Sequence, residues 1–193
     1  MESNMNALVL FSGGLDSTTS LAIARSMGYK IIALTINYKQ RHDYEIIASK
    51  KILSNYPDVK HIIFDIDLTK IGGSALTDSS LNVPTKESTG IPITYVPARN
   101  TIFLSIAASY AETLKIKDIF IGVNAIDYSG YPDCRPEFIT SFEKMINLGT
   151  KAALEGSPFK ILTPLVSMTK SEIINIGIKL GVDYSATVSC YSL

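Results

Sequence analysis

Cysteine is scarce in this chain, and the shortage bounds its chemistry. Cys134 and Cys190 are the two among 193 residues, too few for a disulfide framework and suited to a reducing cytoplasm. Charge of one sign is missing as well. Lys+Arg 18 against Asp+Glu 18 leave a formal net charge of zero, so composition offers no broad basic surface for gripping nucleic acid, although a local patch stays open. No apolar run approaches the roughly 20 residues that cross a bilayer. The N-terminus lacks a basic segment followed by a long apolar core, the pattern of a secretory leader. Repeats and low-complexity segments are absent too. What remains is an ordinary globular composition, 46% hydrophobic. It reads most simply as one domain over residues 1–193, long enough to bury a proper core.

What is present starts near the N-terminus. The apolar run Ala7-Leu8-Val9-Leu10 leads into Phe11-Ser12-Gly13-Gly14-Leu15-Asp16-Ser17-Thr18-Thr19, and a helical pattern runs from Ser17 to Met27. Strand, glycine turn and helix start in that order make an anion cradle. Gly13 and Gly14, having no Cβ, allow a tight turn and close approach to a ligand. Ser17 or Thr18 is the expected helix cap, with the first N–H groups and the dipole facing negative charge. No lysine lies between Gly13 and Arg25, so this is no Walker A loop, and the G-x-G-x-x-G dinucleotide fingerprint is absent. Backbone N–H groups, hydroxyls and Mg²⁺ must then neutralise phosphate charge. Asp16 conflicts with that role unless it bridges a metal or caps the helix. Two glycines alone would fit an ordinary turn. The six residues Ser12-Gly13-Gly14-Leu15-Asp16-Ser17 are more specific, and they resemble the PP-loop of adenylating enzymes, which release pyrophosphate from ATP and leave AMP on an acceptor.

Strand-like and helical patterns alternate after this loop. Ile31–Ile36 and His61–Ile66 read as buried strands, and Ile119–Val123 as a fourth, being apolar and partly β-branched. Helices are expected from Asp43 to Ser54, from Asn100 as a cap, from Pro136, and from Lys170 to Leu180. In the helix after Asn100, the residues Phe103, Ile106, Ala107, Tyr110, Ala111 and Leu114 share one face. Between positions 72 and 98 lie Gly72, Gly73, Gly90, Pro84, Pro92 and Pro97. That predicts a long loop, a length usually functional or mobile. Repeated βα units imply an α/β fold, a doubly wound parallel sheet covered on both faces. Ligands in such folds bind at the carboxyl ends of strands.

Three further segments fall on that rim. Asn37-Tyr38-Lys39-Gln40-Arg41-His42 offers an aromatic face, two cations and an imidazole, or else a solvated turn. Val96-Pro97-Ala98-Arg99-Asn100 delivers an arginine at a helix start, where it can fork onto phosphate or carboxylate, or simply lie on the surface. Residues Asp127, Tyr128, Ser129, Gly130, Tyr131, Pro132, Asp133, Cys134 and Arg135 crowd acids, tyrosines and an arginine into one turn, a set suited to a polar planar ligand or to a rigid self-satisfied loop. Cys134 reads as a packing cysteine, since a nucleophile needs a depressed pKa that sequence cannot show.

Together these stretches, with Thr163-Pro164-Leu165, Lys170 and Ser189-Cys190-Tyr191, occur in order along the chain. They resemble the 7-cyano-7-deazaguanine synthases of the queuosine pathway. The resemblance implies a Rossmann-like PP-loop fold of the adenine nucleotide alpha hydrolase kind. It implies conversion of 7-carboxy-7-deazaguanine and ammonia to the nitrile with ATP and Mg²⁺. ATP would adenylate the carboxylate, ammonia would displace AMP to give the amide, and a second activation would expel the amide oxygen. Residues Phe11, Ser12, Gly13, Gly14, Leu15, Asp16, Ser17, Thr18, Thr19, Ser20 and Leu21 would hold ATP. Asp16, Arg99 and Lys170 are the catalytic candidates, the two cations stabilising charge at the α-phosphate. Tyr38, Arg41, Asp127, Tyr131, Asp133 and Arg135 would hold the deazapurine. A homodimer using free ammonia, in the cytoplasm and without nucleic acid or membrane partners, is the further expectation.

One departure stands out. The family carries a Zn²⁺ site of four cysteines, of which this chain has a counterpart for one, Cys190, before ending at Leu193. Tetrahedral structural zinc takes four ligands, and the spacing of Cys134, His42 and His61 fits no ligand pattern. The chain is incomplete, or its gene is truncated, or zinc was lost in a functional descendant. An incomplete C-terminus, with that region destabilised, is the expectation, because Cys190 and Tyr191 persist to an abrupt end. Two rivals stay open: another PP-loop adenylating synthetase, and a non-catalytic or decayed nucleotide-binding copy.

Overall fold

A computed structural model describes residues 5–40, 44–78, 80–81, 90–124 and 130–187. Its elements alternate as the patterning requires: β1 (Asn6–Leu10), α1 (Leu15–Ser26), β2 (Lys30–Asn37), α2 (Tyr44–Leu53), β3 (Lys60–Asp65), α3 (Arg99–Leu114), β4 (Asp118–Phe120), α4 (Pro136–Gly149), α5 (Lys151–Leu154), β5 (Lys160–Leu162) and α6 (Lys170–Lys179). The five strands form one sheet in the order β3-β2-β1-β4-β5, with every neighbouring pair parallel. Parallel neighbours cannot be joined by hairpins, so each connection must cross a face of the sheet.

Strand periodicity sorts the core between those faces. Leu8 and Leu10 of β1 join Leu104, Ala107 and Ala111 of α3 and Ile139 and Phe142 of α4. Ala7, Val9 and Phe11 point the other way, toward Leu21 and Ala24 of α1 and Ile52 and Leu53 of α2. A third cluster of Ile23, Leu165 and Ile173, with Leu15, Met168 and Ile176 against it, seats α6 on α1. Tyr184 reinforces that seat, its hydroxyl lying 2.7 Å from Thr19 Oγ1 and donating to the Ile173 carbonyl at 3.1 Å. Among the described residues no helix is long and apolar enough to cross a membrane.

Several boundaries differ from the sequence reading, each for a physical reason. Helix α1 starts at Leu15 with Gly14 as N-cap, and neither Ser17 nor Thr18 caps it. Both hydroxyls instead donate back to the Gly14 carbonyl, at 3.1 and 2.8 Å, as Ser and Thr inside a helix commonly do. Asn100 is no cap either. Ala98 precedes α3 in a left-handed conformation, φ 54°, and Asn100 is buried within the first turn. Strand β4 stops at Phe120 rather than Val123, although Ile121 N–H still donates to the Leu162 carbonyl at 3.0 Å. The edge strand β5 was not expected at all; three residues are too few for a periodicity to declare itself. Asp43, expected to start α2, lies outside the described residues.

Strand order matters most for function. The chain lays β2 and β3 on one side of β1, then returns to place β4 on the other. The helix that follows β1 packs on one face of the sheet and the one that follows β4 on the other, which opens the crevice where ligands bind in this architecture.

Candidate active site

A cleft of about 240 Å³ occupies that crevice. Its floor is the turn between β1 and α1: Phe11, Ser12, Gly14, Leu15, Asp16 and Ser17 all line it. The first N–H groups of any helix lack intrahelical acceptors, so the start of α1 presents donors and a positive dipole end here. Gly13 lies behind the turn at φ 81°, and a Cβ on it would come within 2.6 Å of the Ser49 amide nitrogen in α2. Gly122, after β4, packs as closely from the opposite side, its would-be Cβ 2.9 Å from the Asp16 backbone. Thr18, Thr19, Ser20 and Leu21 are buried behind the cleft rather than lining it.

The Phe11 carbonyl is anchored from the sheet. Thr35 Oγ1 donates to it at 2.7 Å, and His61 Nε2 lies 2.8 Å from the same hydroxyl. Because the Thr35 proton is committed to Phe11, the His61 ring donates, which places its hydrogen on Nε2. Burial, then the nearby Lys50 charge, hold the imidazole below its usual pKa.

Asp16 has the cation its position demands, and that cation comes from 154 residues away. The Lys170 ammonium, in the first turn of α6, donates to both carboxylate oxygens at 2.9 and 3.0 Å. The start of α6 is fixed by a reciprocal cap: Glu172 Oε2 accepts from Thr169 N–H at 2.8 Å while the Thr169 hydroxyl accepts from Glu172 N–H at 3.3 Å. Asn124 ties this corner to β4, its side-chain amide donating to the Met168 carbonyl at 2.6 Å.

Arg99 lines the cleft from the start of α3. The left-handed Ala98 before it costs about 1–2 kcal/mol for a residue with a Cβ. Two bonds hold it, Ala98 N–H to the Tyr95 hydroxyl and Arg99 N–H to the Val96 carbonyl, both 3.1 Å. Behind Arg99, Asp133 is buried and accepts from Asn100 N–H at 3.0 Å, and Asn100 donates in turn to the Asp133 carbonyl and toward Cys134 Sγ. Asp133 therefore braces the helix start and does not reach the cleft. Arg135 is exposed, with its Nε donating to the Pro132 carbonyl, and lines a separate shallow groove between α3 and α4. Cys134 does touch the cleft, but burial, foremost, pushes its thiol up to about 11. It is a packing cysteine.

Aromatic walls complete the cavity. Tyr38 packs on Phe103 with ring centroids 5.4 Å apart, and Tyr131 faces Tyr95 at 6.1 Å; Tyr38, Phe103 and Tyr131 line the cleft. Leu76, from the segment after β3, joins them. Arg41, Asp127 and Cys190 lie outside the described residues. Sequence reasoning passed over Glu45, which lines the cleft from the first turn of α2 with its Oε2 accepting from Gln40 Nε2 at 3.0 Å. The available signal was position, an acid opening the helix after a rim loop. Among the described residues no three His, Cys, Asp or Glu side chains gather as a metal-binding group.

The family model described as queuosine biosynthesis protein QueC matches residues 6–193. A 7-cyano-7-deazaguanine synthase of Saccharophagus degradans is 57% identical over 98% of this chain and 84% of its own length. One from Pseudomonas fluorescens is 56% identical over 96% and 83%. Among solved structures, a 4-thiouridine synthetase in an RNA complex with bound ATP has a TM-score of 0.61 at 19% identity, covering 97% of this chain and 43% of its own. NMN synthetase from Francisella tularensis has a TM-score of 0.58 at 16% identity, covering 98% and 67%. At those identities the solved structures establish the fold alone, and that fold is the expected one.

Proposed function

We propose a reaction from one premise: the chain belongs to the QueC family of queuosine biosynthesis proteins. It is an ATP-dependent carbon–nitrogen ligase that converts 7-carboxy-7-deazaguanine and ammonia into 7-cyano-7-deazaguanine. The single observation that carries this reading is the cleft, where a PP-loop and the Asp16–Lys170 pair share one cavity with Arg99 and an aromatic wall. A nucleotide phosphate and a flat carboxylic acid can meet there.

The start of α1 and the hydroxyl of Ser12 would hold the ATP phosphates. The substrate carboxylate attacks the α-phosphorus, and pyrophosphate leaves. Arg99 and Lys170 would neutralise charge growing on the phosphoryl oxygens in that step. Ammonia then displaces AMP and loses a proton, giving the amide. The amide oxygen then attacks the α-phosphorus of a second ATP, releasing a second pyrophosphate, and departs on AMP as the two N–H protons are lost and the nitrile forms. Tyr38 and Tyr131 would enclose the bicyclic ring.

Mg²⁺ belongs to this proposal because Asp16, Ser12 and Ser17 are hard oxygen donors at the loop; bound, it would screen the polyphosphate. The family zinc has a different standing. The described residues provide no ligand set for it, and its one counterpart, Cys190, lies outside them, so no step is routed through zinc, and metal analysis of the purified protein tests for it. A homodimer is a proposal carried by the family resemblance, and sedimentation velocity tests it; a cytoplasmic location is proposed from the two cysteines and a single domain over 1–193 from chain length. Zero net charge supports a small-molecule substrate over a nucleic-acid one.

The deciding experiment is mass spectrometry after incubation with 7-carboxy-7-deazaguanine, ATP, Mg²⁺ and ammonium. The expected result is the nitrile together with AMP, both dependent on the acid. ATP consumed without the acid, or not at all, overturns the reading.

A further inference from the structure

The geometry points to Glu45 as the specificity-determining residue that reads the guanine-type edge of the substrate, accepting from the ring N1–H and the exocyclic 2-amino group with its two carboxylate oxygens. This inference rests on the proposed reaction and names how its substrate is told apart from ATP in the same cavity.

Two acids line the cleft among the described residues, Asp16 and Glu45. Both oxygens of Asp16 are engaged by Lys170. Glu45 is held differently, with one oxygen accepting from the neutral Gln40 amide. Its site is built rather than incidental. Lys39 turns the chain at φ 57° after β2, which brings Gln40 back against the first turn of α2. One turn further along α2, Ser49 carries the backbone on which Gly13 is packed, so the acid and the phosphate loop share a rigid support. Tyr38 and Phe103 form the neighbouring wall. Burial, the largest influence, raises the Glu45 pKa, while the Gln40 bond and the Arg99 charge pull it down. A carboxylate kept in such surroundings gains from a ligand that brings its own donors.

The chemistry selects the ligand. A 7-deazaguanine presents two adjacent N–H donors on its six-membered ring, spaced to meet the two oxygens of one carboxylate in the way a guanidinium does. Adenine presents an amino group beside the acceptor N1, and an ionised carboxylate facing that edge repels the N1 lone pair. Glu45 therefore favours the deazaguanine over the base of ATP. It fixes the end of the bicycle remote from the 7-carboxylate.

The test is titration calorimetry with three probes: 7-carboxy-7-deazaguanine, its analogue lacking the 2-amino group, and ATP with Mg²⁺. The wild-type protein is expected to prefer the 2-amino compound by about tenfold or more. In Glu45→Gln that preference collapses while ATP affinity is unchanged. Equal binding of both deazapurine acids by the wild type overturns the inference without any variant being made. So does a Glu45→Gln protein that keeps the preference, or one that loses ATP affinity instead, which would move Glu45 to the nucleotide. Wild-type protein that binds ATP but neither acid sinks the proposed reaction itself, and this inference falls with it.

Discussion

At the scale of single residues, Asp16 shows what the sequence could and could not say. An acid inside a phosphate loop needs a partner, and metal or helix cap were the local answers. The structure supplies Lys170, from the far end of the chain, at 2.9 Å. No spacing rule reaches across such a separation. The pair predicts a dissociation between stability and activity. Both side chains keep solvent contact, 37% for Lys170 and 25% for Asp16, so Lys170→Met costs about 1 kcal/mol or less. That lowers the melting temperature by less than about 4 °C. Under the proposed reaction, acid-dependent AMP formation falls by about 100-fold or more, because the charge proposed to stabilise the transition state is lost. Parallel melting curves and turnover assays check both halves. Cys134 gives the opposite kind of prediction. A buried thiol with its pKa pushed up to about 11 supplies almost no thiolate at pH 8. Iodoacetamide should leave the Cys134 peptide unmodified in native protein and label it in guanidinium, as peptide mass spectrometry would read.

At the scale of elements, apolar patterning carried the long pieces and failed where packing or loop chemistry decides. Leu8 and Leu10 against Ala7 and Val9 alternate cleanly, and α3 declares its stripe over 16 residues. By contrast β5 is three residues long, and the start of α3 depends on Asp133, a bond invisible without the fold. Gly122 was equally silent in sequence, a small residue at the end of a strand. In three dimensions it lets β4 press on the backbone of Asp16. Gly122→Ala therefore forces the α1 start away from β4. The expected cost is about 1–3 kcal/mol for overpacking, accompanied by a raised KM for ATP, since the displaced residues line the floor of the cleft proposed to hold the phosphates. A variant that loses stability with an unaltered KM would show that the floor tolerates the shift.

At the scale of the whole molecule, the sheet order is what sequence withholds, because parallel neighbours are set by contacts between distant segments. Repeated βα units foretold a parallel sheet; they did not say that β1 would lie between β2 and β4. That central place lets β3 act on the site through β2, by the path from His61 to Thr35 to the Phe11 carbonyl, and it leads to a pH dependence of stability. The folded His61 pKa is depressed below the ordinary value of 6.5. Above pH 6.5 the ring is neutral in both states and contributes no slope. As pH falls below 6.5 the unfolded chain takes the proton first, so folding stability declines until the folded ring also titrates. Other groups act elsewhere or with opposite sign. Asp67, Asp78, Glu172 and Asp183 have depressed carboxyl pKa values, so their contributions persist above the ordinary carboxylate range and disappear below it. Glu45 has a raised pKa, and its burial cost is relieved as pH falls toward 4.5. The difference between wild type and His61→Gln isolates the ring, since glutamine can still donate to Thr35. Urea melts at successive pH values should show a stability decline below pH 6.5 that is shallower in the variant. Identical slopes in the two proteins would mean that the imidazole titrates normally and that burial and the Lys50 charge do not hold its pKa down.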